Sequence, residues 1–285
     1  MKLSVIGVGL IGGSLGLALK QSLKDEIYIT GYGRNKDNLR EAKRLGAIDS
    51  IALNLEDAAD SDIIYLSTPV LKIVPIIKEL TPFLNPNTII TDAGSTKGEI
   101  FSEIKRILPK NIYYIAGHPM TGREKSGVTA ASADLFKDKT YIIIKDEETP
   151  QNAYDKLMNI LKNIGAKFSY LPIEAHDSAA SVISHLPHIA AAGLVHLLKQ
   201  SENLDTAKYL IGGGFRDTTR IASSDPDMWA DILMTNKDAI VRDIDKYIDI
   251  LSDIKSAVIA KDRDKSYAFF DESKKFRDNL LDEMK

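Results

Sequence analysis

Apolar positions along the chain recur with two different periods. Lys2 to Ile6 is a short apolar run that reads as a buried strand. From Leu10 to about Leu23 the apolar spacing becomes helical, and Glu26 to Gly31 returns to strand character. Asn35 to Leu45 reads as a helix, capped by Asn35 and stopped by Gly46. The alternation continues with a strand at Asp62–Leu66, a helix at Val70–Leu80, and strands at Thr88–Thr91 and Ile112–Ile115. Lys139–Lys145, a helix from about Pro150, and the strand Lys167–Leu171 are expected to finish the same sheet. Strands alternating with helices predict an α/β fold with a doubly wound, mostly parallel sheet. Near Pro172 the pattern changes, and only helical spacing follows. Ile173 to about Gln200 is one long segment, and Gly212-Gly213-Gly214 breaks the chain between helices. Asp225 as N-cap with Pro226 in the first turn starts another helix, and Thr235 to Lys285 is amphipathic. The expected division is therefore an α/β domain over 1–171 and an all-α domain over 172–285.

Bulk composition narrows the classes. The chain has 285 residues, 44% hydrophobic and 27% charged, with a net charge of −3. That balance gives no reason to expect nucleic acid or an anionic membrane as partner. No apolar run looks long enough to approach the roughly 18 residues that span a bilayer. One lysine precedes the first strand, so no signal peptide is expected and the cytoplasm is the default compartment. Cysteine is absent, which removes disulfides, thiol nucleophiles and thiolate zinc sites. No metal site is expected.

Chemistry enters at the first turn. Gly7-Val8-Gly9-Leu10-Ile11-Gly12 follows a strand and opens a helix, the context a dinucleotide fingerprint requires. Gly7 would make the tight turn, Gly9 would let backbone approach a pyrophosphate, and Gly12 would let helix and strand pack closely. The free N–H groups at the helix start, around Leu10 and Ile11, would face the phosphates. Ser67-Thr68-Pro69 sits at the carboxyl end of another strand, where open α/β sheets bind ligands. After the second strand, Gly33 stands where an NAD site usually has a carboxylate, and Arg34 follows. Arg34 can bind a 2′-phosphate, or merely stack on adenine in solvent; the local charge favours NADP slightly over NAD.

Five histidines are candidate proton carriers. His118 lies between Gly117 and Pro119, just past a predicted strand end, where small neighbours leave the ring open. Ser95, also at a strand end, is either a helix N-cap or a hydroxyl in reach of His118. Ser184 and His188 share a helix face, with His185 nearby, and Pro187 is expected to kink that helix and free a carbonyl. Those residues line a cavity or decorate a core helix. Gly213 to Arg220 holds Arg216, Asp217 and Arg220, which form either a carboxylate clamp or a surface ionic network. Trp229 is expected to pack in a core or interface. His176 and His196 carry no signal of function.

The stretches Val5–Ser14, Asp92–Lys97, Gly117–Gly127, Ser184–His188, Gly213–Arg220 and Asp225–Trp229 together resemble the prephenate and arogenate dehydrogenase family, in order and over nearly the whole length. The resemblance implies a Rossmann domain, a helical substrate and dimerisation domain, a homodimer, and an active site in the cleft between the domains. It implies oxidative decarboxylation of prephenate to 4-hydroxyphenylpyruvate in tyrosine biosynthesis, with arogenate as the alternative substrate. His118 would accept the proton of the ring hydroxyl, with activity falling on the acid side near the unperturbed imidazole value of about 6.5. Ser95 would orient His118, Arg220 would bind substrate carboxylate, and Ser184 and His188 would line the pocket. Glu124 and Asp217 would belong to an ionic network at its mouth. Gly33-Arg34 departs from NAD-using members, and no room is seen for a fused mutase or regulatory domain. Rival readings are a hydroxy-acid dehydrogenase or imine reductase of like architecture, and a nucleotide-sensing protein without turnover.

Overall fold

The computed structural model describes residues 1–123, 125–144 and 146–283. The chain forms two compact units, Met1–Lys237 and Asp238–Lys285. In the first, strands β1 (Lys2–Ile6), β2 (Tyr28–Tyr32), β3 (Ser50–Ile51), β4 (Ile63–Leu66), β5 (Ile89–Asp92) and β6 (Tyr113–Ile115) form one parallel sheet in the order β3-β2-β1-β4-β5-β6. Helices α1 (Leu10–Leu23), α2 (Lys36–Arg44), α3 (Leu55–Ala59), α4 (Val70–Leu80) and α5 (Gly98–Ile107) connect them. The sheet is buried on both faces, as parallel sheets must be. Leu3, Val5, Ile63, Tyr65 and Ile89 join one apolar cluster, and Ile6, Ile64, Leu66 and Ile90 the other. This period of two sorts each strand's side chains to opposite layers.

The last strands do not complete that sheet. At Ala116 the chain leaves β6 and enters β7 (Gly117–Pro119), which pairs antiparallel with β8 (Thr140–Ile144). After α6 (Gln151–Leu161), β9 (Lys167–Leu171) pairs parallel with β8, so these three strands form a second, separate sheet. Gly117 makes the crossing possible, because a Cβ there would stand 2.9 Å from the Asp92 carbonyl and 2.9 Å from the Tyr141 ring. Tyr141 donates to the Tyr65 hydroxyl at 3.1 Å and so ties the two sheets together. His118 is consequently a buried strand residue opposite Ile142, not an open loop residue.

Helices follow as the periodicity predicts. They are α7 (Ile173–Ala180), a π-helical turn Ser181–His185, α8 (Leu186–Lys199), α9 (Leu204–Tyr209), α10 (Gly213–Thr219) and α11 (Pro226–Thr235). Pro187 follows a local irregularity in the helix. The turn before it is widened, with Leu186 N–H donating to the Ser181 carbonyl five residues back. The first unit runs past Pro172 because these helices bond to the α/β layer: Asp177 accepts from Lys97 and Gly98, Asp231 from Leu71, and Thr235 pairs with Thr96 at 2.7 Å. Against expectation, the unbroken helical stretch Ile173–Lys199 is long and apolar enough, by length and composition, to cross a membrane; 17% of its most apolar window is buried. The second unit holds most of α12 (Lys237–Ile259) and α13 (Arg263–Glu283), whose first turn Asp262 caps. It exposes Val258, Tyr267, Phe270 and Phe276.

Candidate active site

Gly7 adopts φ +91°, a conformation that favours glycine, and a Cβ on it would lie 2.6 Å from the Ser67 carbonyl. Its N–H donates to Tyr32 at 2.8 Å, and its carbonyl accepts from the Ser67 hydroxyl at 2.7 Å. A Cβ on Gly12 would strike Ser67 Oγ and stand 2.8 Å from Val5. Gly9 is different, since nothing lies within 4 Å of its missing side chain. That open space fronts the start of α1, where Leu10 and Ile11 begin the helix and the first turn holds no acidic residue. Thr68 Oγ1 is buried there without a hydrogen-bond partner among the described residues, beside Gly7, and Pro69 is the N-cap residue of α4. A cradle that a side chain would fill, a helix N-terminus and an orphaned hydroxyl fit a dinucleotide pyrophosphate. Asn38 braces the turn, donating to the Val8 carbonyl and accepting from Val128 N–H at 3.1 Å. Gly33 has room for a side chain, with Leu39 the nearest neighbour at 3.8 Å. Arg34 is exposed and makes no ion pair among the described residues.

The proton-handling half is assembled from distant segments. His118 Nδ1 lies 2.8 Å from His176 Nε2, and His176 Nδ1 lies 2.7 Å from Asp177 Oδ1. Asp177 in turn accepts from the backbone N–H groups of Lys97 at 3.0 Å and Gly98 at 2.7 Å. It thereby caps α5, the task one reading gave to Ser95. Asn236 donates to the Asp177 carbonyl at 2.9 Å and lies 3.1 Å from His185 Nδ1. His188 stacks on Trp229 with ring centroids 3.9 Å apart, and His185 meets the same indole edge-on at 6.0 Å. The Trp229 N–H is buried without a partner among the described residues.

Under this cluster sits a wholly buried ion pair, Lys97 Nζ to Asp92 Oδ2 at 2.5 Å. Asp92 also accepts from Gly94 N–H at 2.8 Å, Tyr114 OH at 2.9 Å and Gly117 N–H at 3.2 Å. One carboxylate thus gathers the turn that carries Ser95 and the strand that carries His118. Burial, then the charge of Lys97, then His176 and His185, hold His118 well below the usual imidazole range. Burial pushes His185 down to about 4, and burial lowers His188 too, assisted by the charge of Arg220 and opposed by its bond to the Ser184 carbonyl.

The structure brings several expected residues together and separates others. His118, His188, Ser184 and Arg220 belong to one unit, and Arg220 is close enough for His188 to feel its charge. Ser95 is half-buried in the turn before α5, but no hydrogen bond joins it to His118; the Nδ1 partner is His176. Asp217 is exposed on α10 and makes no ion pair among the described residues. Glu124 lies outside the described residues. His176, Asp177 and Asn236 were missed by the sequence. The one local signal was the adjacent His-Asp dipeptide, which becomes meaningful only once α7 is laid against β7.

Comparison with known proteins agrees with this geometry. Residues 15–170 match the family model for the nucleotide-binding domain of prephenate dehydrogenase, and residues 172–272 the model for its dimerization domain. The chain is 39% identical over 277 residues to a prephenate dehydrogenase of Bacillus subtilis (strain 168), covering 96% of this chain and 74% of that protein. It is 35% identical over 283 residues to one of Lactococcus lactis subsp. cremoris (strain MG1363), covering 97% and 76%. A solved prephenate dehydrogenase from A. aeolicus, in complex with hydroxyphenyl propionate and NAD+, superposes with a TM-score of 0.91 at 32% identity over 98% of each chain. With a nicotinamide-nucleotide fold at one end and a buried histidine relay at the other, this chain belongs to the prephenate dehydrogenase family.

Proposed function

We propose that this protein oxidises and decarboxylates prephenate to 4-hydroxyphenylpyruvate, and that His118 is the base. The observation that carries the reading is His118 itself. Its ring is buried, kept neutral by its surroundings, and held at Nδ1 by His176, which leaves Nε2 for a substrate hydroxyl. Nε2 takes the proton of the ring hydroxyl as that carbon is oxidised. Loss of the ring carboxylate as carbon dioxide restores aromaticity and leaves a phenolate oxygen. The same nitrogen then returns its proton to that oxygen. The nicotinamide ring, when bound, accepts the hydride. Gly7, Gly9 and Gly12, the start of α1 and Thr68 hold the dinucleotide. Arg220 draws in a substrate carboxylate, and Ser184 and His188 line the wall, with Trp229 holding the His188 ring flat.

Three finer assignments belong to the same proposal. His188 and Arg220 offer a neutral-to-basic wall, which suits the keto side chain of prephenate better than the ammonium of arogenate. Gly33, which has room for a side chain, and exposed Arg34, which makes no ion pair among the described residues, suit a 2′-phosphate and so NADP over NAD. The exposed apolar residues of α8, Leu194, Val195 and Leu197, together with the match to a dimerization domain, suit burial against a second copy in the cytoplasm rather than insertion in lipid. Initial rates with prephenate and arogenate, each with NADP and NAD, test the reading. The highest kcat/KM is expected for prephenate with NADP. Preference for arogenate overturns the substrate, no activity with NADP overturns the cofactor, and no reduced nicotinamide with either substrate overturns the activity.

A further inference from the structure

That scheme uses His176 only as a contact of His118 and Asp177 not at all, yet both are buried, and they join the base to the N-terminus of α5. We propose that they are positioning residues which set the tautomer of His118, placing its proton on Nδ1 and a bare lone pair on Nε2. The inference deepens the proposed activity and rests on it for the identity of the hydroxyl that Nε2 meets.

The reasoning starts from what a carboxylate can do. Asp177 is acceptor-only, and the N–H groups of Lys97 and Gly98 already donate to it at 3.0 and 2.7 Å. Oδ1 at 2.7 Å from His176 Nδ1 therefore requires a proton on that nitrogen. A neutral imidazole protonated at Nδ1 carries its lone pair on Nε2. That lone pair faces His118 Nδ1 at 2.8 Å, a distance two lone pairs cannot share, so His118 donates from Nδ1. A neutral His118 protonated at Nδ1 has a bare Nε2, the form a general base needs. The two rings meet edge to face, 67° apart with centroids at 5.1 Å, and His176 is 1% exposed, so water does not compete for the contact. The reverse arrangement would need either a proton on a carboxyl group already receiving two backbone N–H groups or a second proton, and so a charge, on a His176 ring that is 1% exposed. One side chain on α7 thus sets both the start of α5, just after the Ser95 turn, and the chemical form of the base.

Nitrogen-15 spectra of histidine-labelled whole protein at neutral pH, without substrate, read the tautomer directly. The expected wild-type spectrum shows His118 with a protonated Nδ1 and an unprotonated Nε2. Asp177→Asn can turn an amide N–H toward His176, which reverses both rings and puts the proton on His118 Nε2. Its kcat should fall by about a hundred- to ten-thousandfold, as for other bases held in the wrong tautomer, with KM changed about twofold at most. His176→Gln keeps an acceptor at similar reach and should retain the bare Nε2 and more activity than His176→Leu. A wild-type His118 protonated at Nε2 overturns the proposal, as does an Asp177→Asn protein with unchanged tautomer and kcat, or equal loss in His176→Gln and His176→Leu. Should Asp177→Asn not fold, the wild-type spectrum decides alone. Should no cyclohexadienyl substrate turn over, the activity reading fails while the spectrum still decides the tautomer.

Discussion

The two halves of the site are built by opposite means. The dinucleotide cradle is local: Gly7, Gly9 and Gly12 lie within one turn, and backbone geometry does the work. The proton-handling half joins β7, the start of α5, α7 and the end of α11 through side chains separated by 58 to 80 residues. Local order is readable from spacing, because a glycine needed for a positive φ or a close approach sits next to what it serves. Long-range order is not, because nothing in the sequence states which helix lies against which strand.

That contrast decides what was legible. The strands β1, β2 and β4 to β6, the helices after Pro172, the capping of α2 by Asn35 and the start of α11 at Asp225 follow from periodicity and cap chemistry, whereas β3, two residues long, is too short to show a period. The second sheet does not, because the crossing at Ala116-Gly117 has no turn residues longer than a single glycine to announce it. His118 stood out for its small neighbours. His176 did not, because its meaning depends on a ring 58 residues away. The Asp92–Lys97 pair lay inside a family stretch, but its burial was invisible until the fold was known.

The largest expected effect tests the long-range half. On the proposed role of His118 as the base, His118→Asn should lower kcat by about a hundred- to ten-thousandfold with the fold intact. A near-normal kcat would shift the role to His188. Arg220→Ala should instead raise KM for the substrate with kcat little changed, because its contact is made in the ground state as well.

Within the local half, the glycines should separate by what they touch. Gly7→Ala meets both a positive φ and the Ser67 carbonyl, and should cost about 1–3 kcal/mol of stability, read as a lower Tm. Gly9→Ala meets nothing in the protein, so Tm should hold within about 0.5 kcal/mol while cofactor binding weakens by about tenfold or more. Equal effects of the two on Tm would break the distinction between turn and cradle. Smaller still, Arg34→Ala should weaken NADP and spare NAD, and Gly33→Asp, which has room to fold, should move preference toward NAD. Cofactor titrations by fluorescence check both.

Most direct for the central claim is the pH dependence of kcat in the wild-type enzyme. A base works when neutral, and burial favours the neutral ring of His118, so protonation, and the loss of activity with it, is displaced to acid. The sign for folding is the same: His185, at about 4 in the folded chain against about 6.5 unfolded, lets stability fall as pH drops through that window. Rates are therefore compared only where the Tm shows the protein folded. The expected profile is flat through neutrality, with an acid limb well below about 6.5 that disappears in His118→Asn. An acid limb at or above about 6.5, or one that survives in His118→Asn, would contradict a buried, neutral His118 as the base.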